Sequence, residues 1–100
     1  VNFGLHVDGY ATVPDIISPK SVARMRTPTK VYPGYGRGWT LNPLHNNRWH
    51  TGSLPGSTTI LVLVDGGNCF AGLVNTRRSS PNSGDGLDKL MWDIYAQVKN

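Results

Sequence analysis

The sequence predicts an α+β domain of two layers, in which an antiparallel sheet of about four strands packs against a short N-terminal helix and a C-terminal amphipathic helix. Four segments between residues 38 and 75 contain aromatic and β-branched residues and are separated by turns rich in glycine, proline and asparagine. A segment with a helix cap precedes them, and a segment with apolar residues three and four positions apart follows them. The 100 residues are enough for one domain with a modest core.

The first helix is predicted to begin at Ser18 and Pro19. The Ser18 hydroxyl is suited to accept hydrogen bonds from the backbone N–H groups of the first turn, and a proline at the first helical position loses no hydrogen bond. Val22 and Met25 then form a small apolar stripe. Pro28 ends the helix, because the residue before a proline disfavours helical backbone angles. We therefore expect a helix of about two turns.

The four predicted strands cover residues 38–41, 48–52, 57–65 and 69–75. The third strand contains consecutive apolar residues at positions 60–64, a pattern typical of a strand that is buried on both faces. Gly66 and Gly67 separate the third strand from the fourth, and glycine adopts the positive φ angles of a tight hairpin turn without steric cost. The strands are therefore predicted to form an antiparallel meander.

The last helix is predicted from about residue 85 to the end of the chain. Its apolar residues recur at spacings of three and four along one stripe: Leu87, Leu90, Met91, Ile94 and Val98. Such a stripe has to be buried against another element, and the sheet is the available partner. Trp92 lies off this stripe, so we expect it either to be exposed or to contact a further part of a longer protein.

Charge and composition exclude several classes of partner. The net charge is +4, but the basic residues are dispersed and are not interleaved with aromatic residues, so we expect no nucleic-acid partner. No segment approaches the roughly 20 apolar residues of a membrane-spanning helix, so we expect no membrane partner.

Cys69 is the single cysteine, and we interpret it as a small buried apolar residue. His6, His45 and His50 show no metal-ligand spacing with it, so we expect no metal and no cofactor.

The strongest functional signal is the segment His50-Thr51-Gly52-Ser53 at the end of the second predicted strand. A Tyr-Gly-x-Gly-Trp segment, residues 35–39, precedes it, and a further strand and the closing helix follow it. In this order and spacing, residues 18–99 resemble the C-terminal part of the serine β-lactamase and penicillin-binding-protein family, and of its class C-related members in particular. The third motif of that family reads Lys/His-Thr/Ser-Gly.

The resemblance implies a role for each residue of this motif. His50, which stands where lysine is usual and changes charge near neutral pH, would place a positive or proton-donating group in the site. Thr51 would bind a carboxylate or carbonyl of the substrate, and Gly52 would let the substrate lie close against the strand. The backbone N–H of Ser53 would be one half of the oxyanion hole, because a tetrahedral intermediate needs N–H donors aimed at its oxyanion. Histidine at the first position is similar to that of certain D-alanyl-D-alanine carboxypeptidases and esterases.

The other two motifs of the family are absent or misplaced. No serine is followed three residues later by lysine, as in the nucleophile motif Ser-x-x-Lys. Ser80-Pro81-Asn82 has the letters of the second motif but follows the third one, so we interpret it as a surface turn. Ser53 and His50 are not expected to form a dyad, because positions three apart on a strand point to different faces. Without a nucleophile and its base, the chain alone should not catalyse acyl transfer.

We therefore interpret residues 1–100 as a single domain, the C-terminal segment of a longer serine hydrolase. The chain begins at Val1 and not at a methionine, which fits this interpretation. The parent would act on a small-molecule amide or ester or on a peptide, as a β-lactamase, D,D-peptidase or esterase, and it would contain the helical part that is missing here. An exported parent, periplasmic or secreted, is left open. The alternative is a free-standing, non-catalytic binding or interaction domain with a carboxylate-sized pocket at residues 51–53. Residues 3–7 fit a short strand or an entry loop.

Overall fold

The computed structural model describes residues 14–77 and 85–99. Within them the chain is the predicted α+β domain, with one four-stranded antiparallel sheet, a short helix before it and a longer helix after it. In chain order the elements are α1 (Pro19–Arg26), β1 (Thr40–Asn42), β2 (Asn47–Leu54), β3 (Ser57–Val64), β4 (Asn68–Val74) and α2 (Asp85–Val98). The predictions for residues 3–7 and for Ser80-Pro81-Asn82 lie outside the described residues.

Helix α1 is capped as the sequence predicts. The Ser18 side chain accepts a hydrogen bond from the Ser21 N–H at 3.2 Å, and Pro19 lies in the first turn. At the other end, the Thr27 hydroxyl donates to the Ala23 carbonyl at 2.7 Å, which satisfies one of the carbonyls that the end of the helix leaves free. The helix therefore stops before Pro28, at the length that the sequence predicts.

The sheet has the strand order β1-β2-β3-β4, so each strand pairs with its neighbour in the chain. β3 pairs with β2 over residues 48–54 and with β4 along its other side, which makes it the central strand. In β2, the residues that pair with β1 are 47–49. Gly66 and Gly67 have φ angles of 90° and 86° between β3 and β4, so the glycine-dependent turn predicted there is confirmed.

Side chains of β3 alternate between the two faces of the sheet. Ile60 and Val62 point to one face, here called the α2 face, and Leu61 and Leu63 point to the other, here called the α1 face. Ile60, Val62 and Leu63 are 3%, 1% and 0% exposed, so both faces of this strand are covered. The apolar run at residues 60–64 therefore forms the doubly buried strand that the sequence predicts.

Helix α2 packs on β4 across the α2 face. The Phe70 ring contacts the Trp92 ring in a T-shaped arrangement, with ring centroids 5.1 Å apart, and lies 5.4 Å from the Tyr95 ring. Gly72 lies directly beneath Met91 and Leu87, where a larger residue would push the helix away from the sheet. Trp92, expected to be exposed or to contact another part of a longer protein, packs instead on the sheet.

The predicted apolar stripe of α2 is divided between two sides of the helix. Leu87 and Met91 contact the sheet, whereas Leu90, Ile94 and Val98 are 54%, 45% and 77% exposed. The aromatic rings of Trp92 and Tyr95 rotate the helix so that they lie on Phe70 rather than in solvent, because large rings bury more apolar area than aliphatic side chains do. The three aliphatic residues are consequently left on the outer side.

On the α1 face, Trp39 and Leu63 form a small buried core. Met25 of α1 packs against this core, and Cys69 of β4 is half-buried beside it, in agreement with its interpretation as an apolar residue. The Met25 carbonyl accepts a hydrogen bond from the Arg37 N–H at 3.1 Å, which ties α1 to the loop before β1. The sheet and α2 thus form the two main layers, and α1 covers a smaller core on the opposite side.

Candidate functional site

The motif residues lie in the half of β2 that has a strand on one side only. β1 stops pairing at Trp49, and among the described residues no strand lies beyond it against residues 50–54. This outer side of residues 50–54 is here called the open edge. The side chains of His50, Thr51 and Ser53 are exposed on it, and Gly52 is half-buried. In the part of the chain that the structure describes, all of the predicted site residues therefore lie together at one edge of the sheet.

The hydrogen bonds of β1 show which residues of β2 direct their backbone N–H and C=O groups away from β3. The Leu41 N–H donates to the Gly34 carbonyl at 2.8 Å, so it points away from β2. Its neighbour Thr40, which is paired with Trp49, therefore directs its backbone groups toward β2. Trp49 thus faces β1 with its own N–H and C=O, and alternate residues along the same strand face the same way.

It follows that the backbone N–H groups of Thr51 and Ser53 point away from β3 and into the open edge. The position of the Thr51 carbonyl agrees, because the His50 ring reaches it from outside the sheet at 2.8 Å. Among the described residues no strand satisfies these two N–H groups. Two hydrogen-bond donors with a fixed direction are consequently available at the motif.

Side chains of the motif are divided between the two faces. Cross-strand register pairs Ser53 with Thr58 on the α2 face, and His50 with Leu61 on the α1 face. The Ser53 hydroxyl and the His50 ring therefore project in opposite directions. This geometry agrees with the expectation that these two residues do not form a nucleophile–base pair.

His50 is held by a hydrogen bond at each ring nitrogen. Nδ1 lies 2.8 Å from the Thr51 carbonyl oxygen, and Nε2 lies 3.1 Å from the Tyr35 hydroxyl. The Tyr35 and His50 rings meet edge to face at an interplanar angle of 77°. The imidazole is thus fixed in orientation although it is exposed. The sequence did not predict this contact, because the loop that carries Tyr35 has no periodicity that would place it beside β2.

Gly52 faces the Thr59 side chain of β3. A Cβ atom at position 52 would overlap the Thr59 Oγ1 atom, so the strand pair itself favours glycine there. Beside them, the α1 face has a shallow depression of about 310 Å³ whose remaining lining is mostly apolar. It is lined by His50, Thr51, Gly52, Thr59, Ile60, Leu61, Ala71 and Leu73. The contact with Thr59 therefore explains why position 52 is glycine, in addition to the close approach of a substrate that the family resemblance implies.

A separate groove of about 670 Å³ lies on the α2 face, between the end of the sheet and α2. Trp49, Trp92 and Tyr95 line it together with polar side chains such as Asn47 and Asn68. Trp49 is half-buried at this groove, whereas Trp39 is 4% exposed and belongs to the core. The groove thus lies at the Asn47–Trp49 end of β2, whereas the motif begins at the next residue and runs toward the other end of the strand.

Comparison of the chain with protein-family models, with curated proteins and with solved structures finds no match. Among residues 14–77 and 85–99, no group of histidine, cysteine and carboxylate side chains is arranged to hold a metal ion. No helix of this described part is long and apolar enough to cross a membrane.

Proposed function

We propose that the chain is the C-terminal α/β segment of a serine hydrolase related to the β-lactamases and penicillin-binding proteins. The parent protein transfers an acyl group from an amide or ester, in a small molecule or a peptide, to a serine outside these residues. This segment supplies one wall of the cleft, formed by His50, Thr51, Gly52 and the backbone N–H of Ser53. The missing nucleophile and its base come from the rest of the parent.

The observation that carries this proposal is the outward direction of the Ser53 N–H at the open edge. When a nucleophile attacks a carbonyl group, negative charge develops on the carbonyl oxygen, and a donor already fixed in position stabilises that charge without reorganisation. A strand fixes its N–H groups more firmly than a loop does. Pairing of residues 48–54 with β3 holds this donor in place while leaving it free for a ligand.

Thr51 and His50 add the remaining polar groups of this wall. The Thr51 hydroxyl is exposed beside the two outward N–H groups, where it can donate to a substrate carboxylate or carbonyl. His50 stands one residue away, with its ring fixed on the opposite face of the strand, as a group able to carry positive charge at the same edge. The Ser53 hydroxyl points to the face opposite to His50, so His50 does not activate it, and we expect the isolated chain to be inactive.

Exposed apolar side chains support contact with a missing part of the parent. Leu54 and Leu73 are 68% and 79% exposed, and Leu73 lines the shallow depression beside the motif. Leu90, Ile94 and Val98 form a second exposed apolar row on α2. Contiguous apolar surface of this kind marks an interaction site more often than a free surface. We propose that the helical part of the parent covers at least the patch beside the motif.

The test is hydrolysis of a chromogenic β-lactam and of an activated ester by the full-length parent and by the 100-residue chain. We expect turnover by the parent only, with Thr51→Val and His50→Ala each lowering kcat/KM by at least 10-fold. Thr76→Val, the same change at an exposed threonine after β4, is the control and should retain activity. Full activity of both motif variants would contradict the proposal.

A second candidate function is a non-catalytic domain that binds an extended peptide at the open edge. The two outward N–H groups favour it, because a peptide strand can add to an unpaired sheet edge through backbone hydrogen bonds. The discriminating observation is the natural reading frame. A Ser-x-x-Lys segment upstream of Val1 supports the hydrolase, and its absence supports the binding domain.

A further inference from the structure

We propose that Tyr35 is a positioning residue that holds His50 in a single tautomer, with the proton on Nδ1 and the lone pair of Nε2 directed at the Tyr35 hydroxyl. The relevance of this tautomer to catalysis rests on the proposed function, in which His50 replaces the lysine of the motif. The tautomer itself is inferred from the geometry of three groups: the Thr51 carbonyl, the His50 ring and the Tyr35 hydroxyl.

The tautomer follows from what each neighbour is able to do. A backbone carbonyl only accepts hydrogen bonds, so Nδ1, which lies 2.8 Å from the Thr51 oxygen, has to be the donor. A neutral imidazole carries one N–H, so Nε2 is then an acceptor. The partner of Nε2 at 3.1 Å is the Tyr35 hydroxyl, which is therefore the donor of that bond. The three groups form one chain of hydrogen bonds that runs from Tyr35 through His50 to Thr51.

Tyr35 is held at this place by the loop that carries it. Its N–H donates to the Tyr32 carbonyl at 3.1 Å, and its carbonyl accepts from the Thr29 N–H at 3.2 Å. An isolated bridge pairs it with Thr40 at the start of β1. The next residue, Gly36, lies so close to the Met25 carbonyl of α1 that a Cβ atom would overlap it. These backbone contacts fix the position of Tyr35 independently of the contact between its side chain and His50.

This arrangement gives the tyrosine hydroxyl two states. While His50 is neutral, the hydroxyl proton of Tyr35 is directed at Nε2. When His50 takes up a second proton on Nε2, that N–H donates to the tyrosine oxygen, and the hydroxyl proton is released to donate to another acceptor. Uptake of a proton by His50 therefore adds both a positive charge and a freed hydroxyl donor near the motif.

The experiment is long-range ¹H–¹⁵N correlation NMR on the ¹⁵N-labelled 100-residue chain at about pH 9, where an ordinary histidine is neutral. We expect His50 to show the pattern of a ring protonated at Nδ1. The variant Tyr35→Phe removes the donor to Nε2 and leaves only the Thr51 carbonyl to hold the proton on Nδ1, so the ring should become a mixture of the two tautomers. Tyr32→Phe is the matched control, since that exposed tyrosine lies in the same loop, and it should leave the tautomer unchanged.

The wild-type spectrum by itself tests the tautomer of His50, so the inference can be tested even if the Tyr35→Phe variant folds poorly. An Nε2-protonated His50 in the wild-type chain overturns the inference, and so does an unchanged tautomer in a folded Tyr35→Phe variant. In the full-length parent, Tyr35→Phe should lower kcat/KM by about 10-fold and shift its pH profile, as loss of a group that orients an active-site histidine does. A parent without hydrolase activity refutes the proposed function while leaving the tautomer result intact.

Discussion

The two halves of β2 differ in what surrounds them. Residues 47–49 lie between β1 and β3, and Arg48 in this half is only 3% exposed. Within residues 14–77 and 85–99, β3 is the one strand that pairs with residues 50–54, and most of their side chains are exposed. Residues 47–49 of this strand are thus part of the interior of the sheet. Residues 50–54 expose backbone donors, a hydroxyl and a fixed imidazole to solvent. Pairing with β3 and the continuation from residues 47–49 hold the backbone of residues 50–54 in place.

The first prediction compares the buried centre of the sheet with the open edge and concerns stability. Leu63→Ala removes a side chain that is 0% exposed, so it should lower the free energy of unfolding by about 2–5 kcal/mol. Leu54→Ala at the end of the open edge should change it by less than about 0.5 kcal/mol, because that side chain is largely exposed. Urea unfolding of the chain measures both, and equal losses would contradict the division of β2 into two halves.

The second prediction separates the backbone of Ser53 from its side chain. Ser53→Pro removes the outward N–H without removing a bond to β3, and proline is tolerated on edge strands. In the full-length parent we expect kcat to fall by about 10²–10³-fold, the usual cost of losing one oxyanion donor. Ser53→Ala keeps the N–H and should retain most of the activity.

If Ser53→Ala were as damaging as Ser53→Pro, the hydroxyl would be the functional group, and the role assigned to the backbone would be wrong. Thermal unfolding of both variants controls for loss of the fold, because the comparison is valid only where both remain folded.

The third prediction concerns the glycine of the motif. Gly52→Ala should destabilise the chain by about 1–3 kcal/mol, because the new methyl group overlaps Thr59 Oγ1. In a Thr59→Ala background the same change should cost at least about 1 kcal/mol less, which a double-mutant cycle measures. Strictly additive effects would show that Thr59 is not the reason for the glycine. Activity lost by the stable double variant would reveal a separate need for close substrate approach.

The smallest expected effect is weak self-association of the isolated chain. Leu90, Ile94 and Val98 lie exposed along the outer side of α2, and exposed apolar rows of this kind favour association. Sedimentation should show an average mass that rises with concentration, and Ile94→Lys should reduce the rise. A monomer at all concentrations would indicate that this side of the helix needs no partner.

Most of the fold was predictable because the sequence is locally consistent. The apolar run at residues 60–64, the two glycines after it and the Ser18-Pro19 cap each favour the element that forms there. The orientation of α2 was not predictable from its aliphatic stripe. Two aromatic rings, Trp92 and Tyr95, decide which side meets the sheet, and their partner Phe70 lies in a different element.

The position of the candidate site residues in the second strand was predictable, but their contacts were not. The letters of the motif pointed to the end of β2, and the open edge is there. The hydrogen bond from Tyr35 to His50 joins a loop to a strand, and the contact of Gly52 with Thr59 depends on strand register. Neither follows from spacing along the chain, since a loop has no period and register is set by the pairing of whole strands.

The most direct test of the central claim is to trap the acyl-enzyme of the full-length parent with a β-lactam or an activated ester and to map the modified residue by mass spectrometry. We predict one adduct, on a serine in a Ser-x-x-Lys segment outside these 100 residues, formed much more slowly by Ser53→Pro than by the wild type. An adduct on Ser53 itself, or a reading frame without such a segment and no adduct at all, would contradict it.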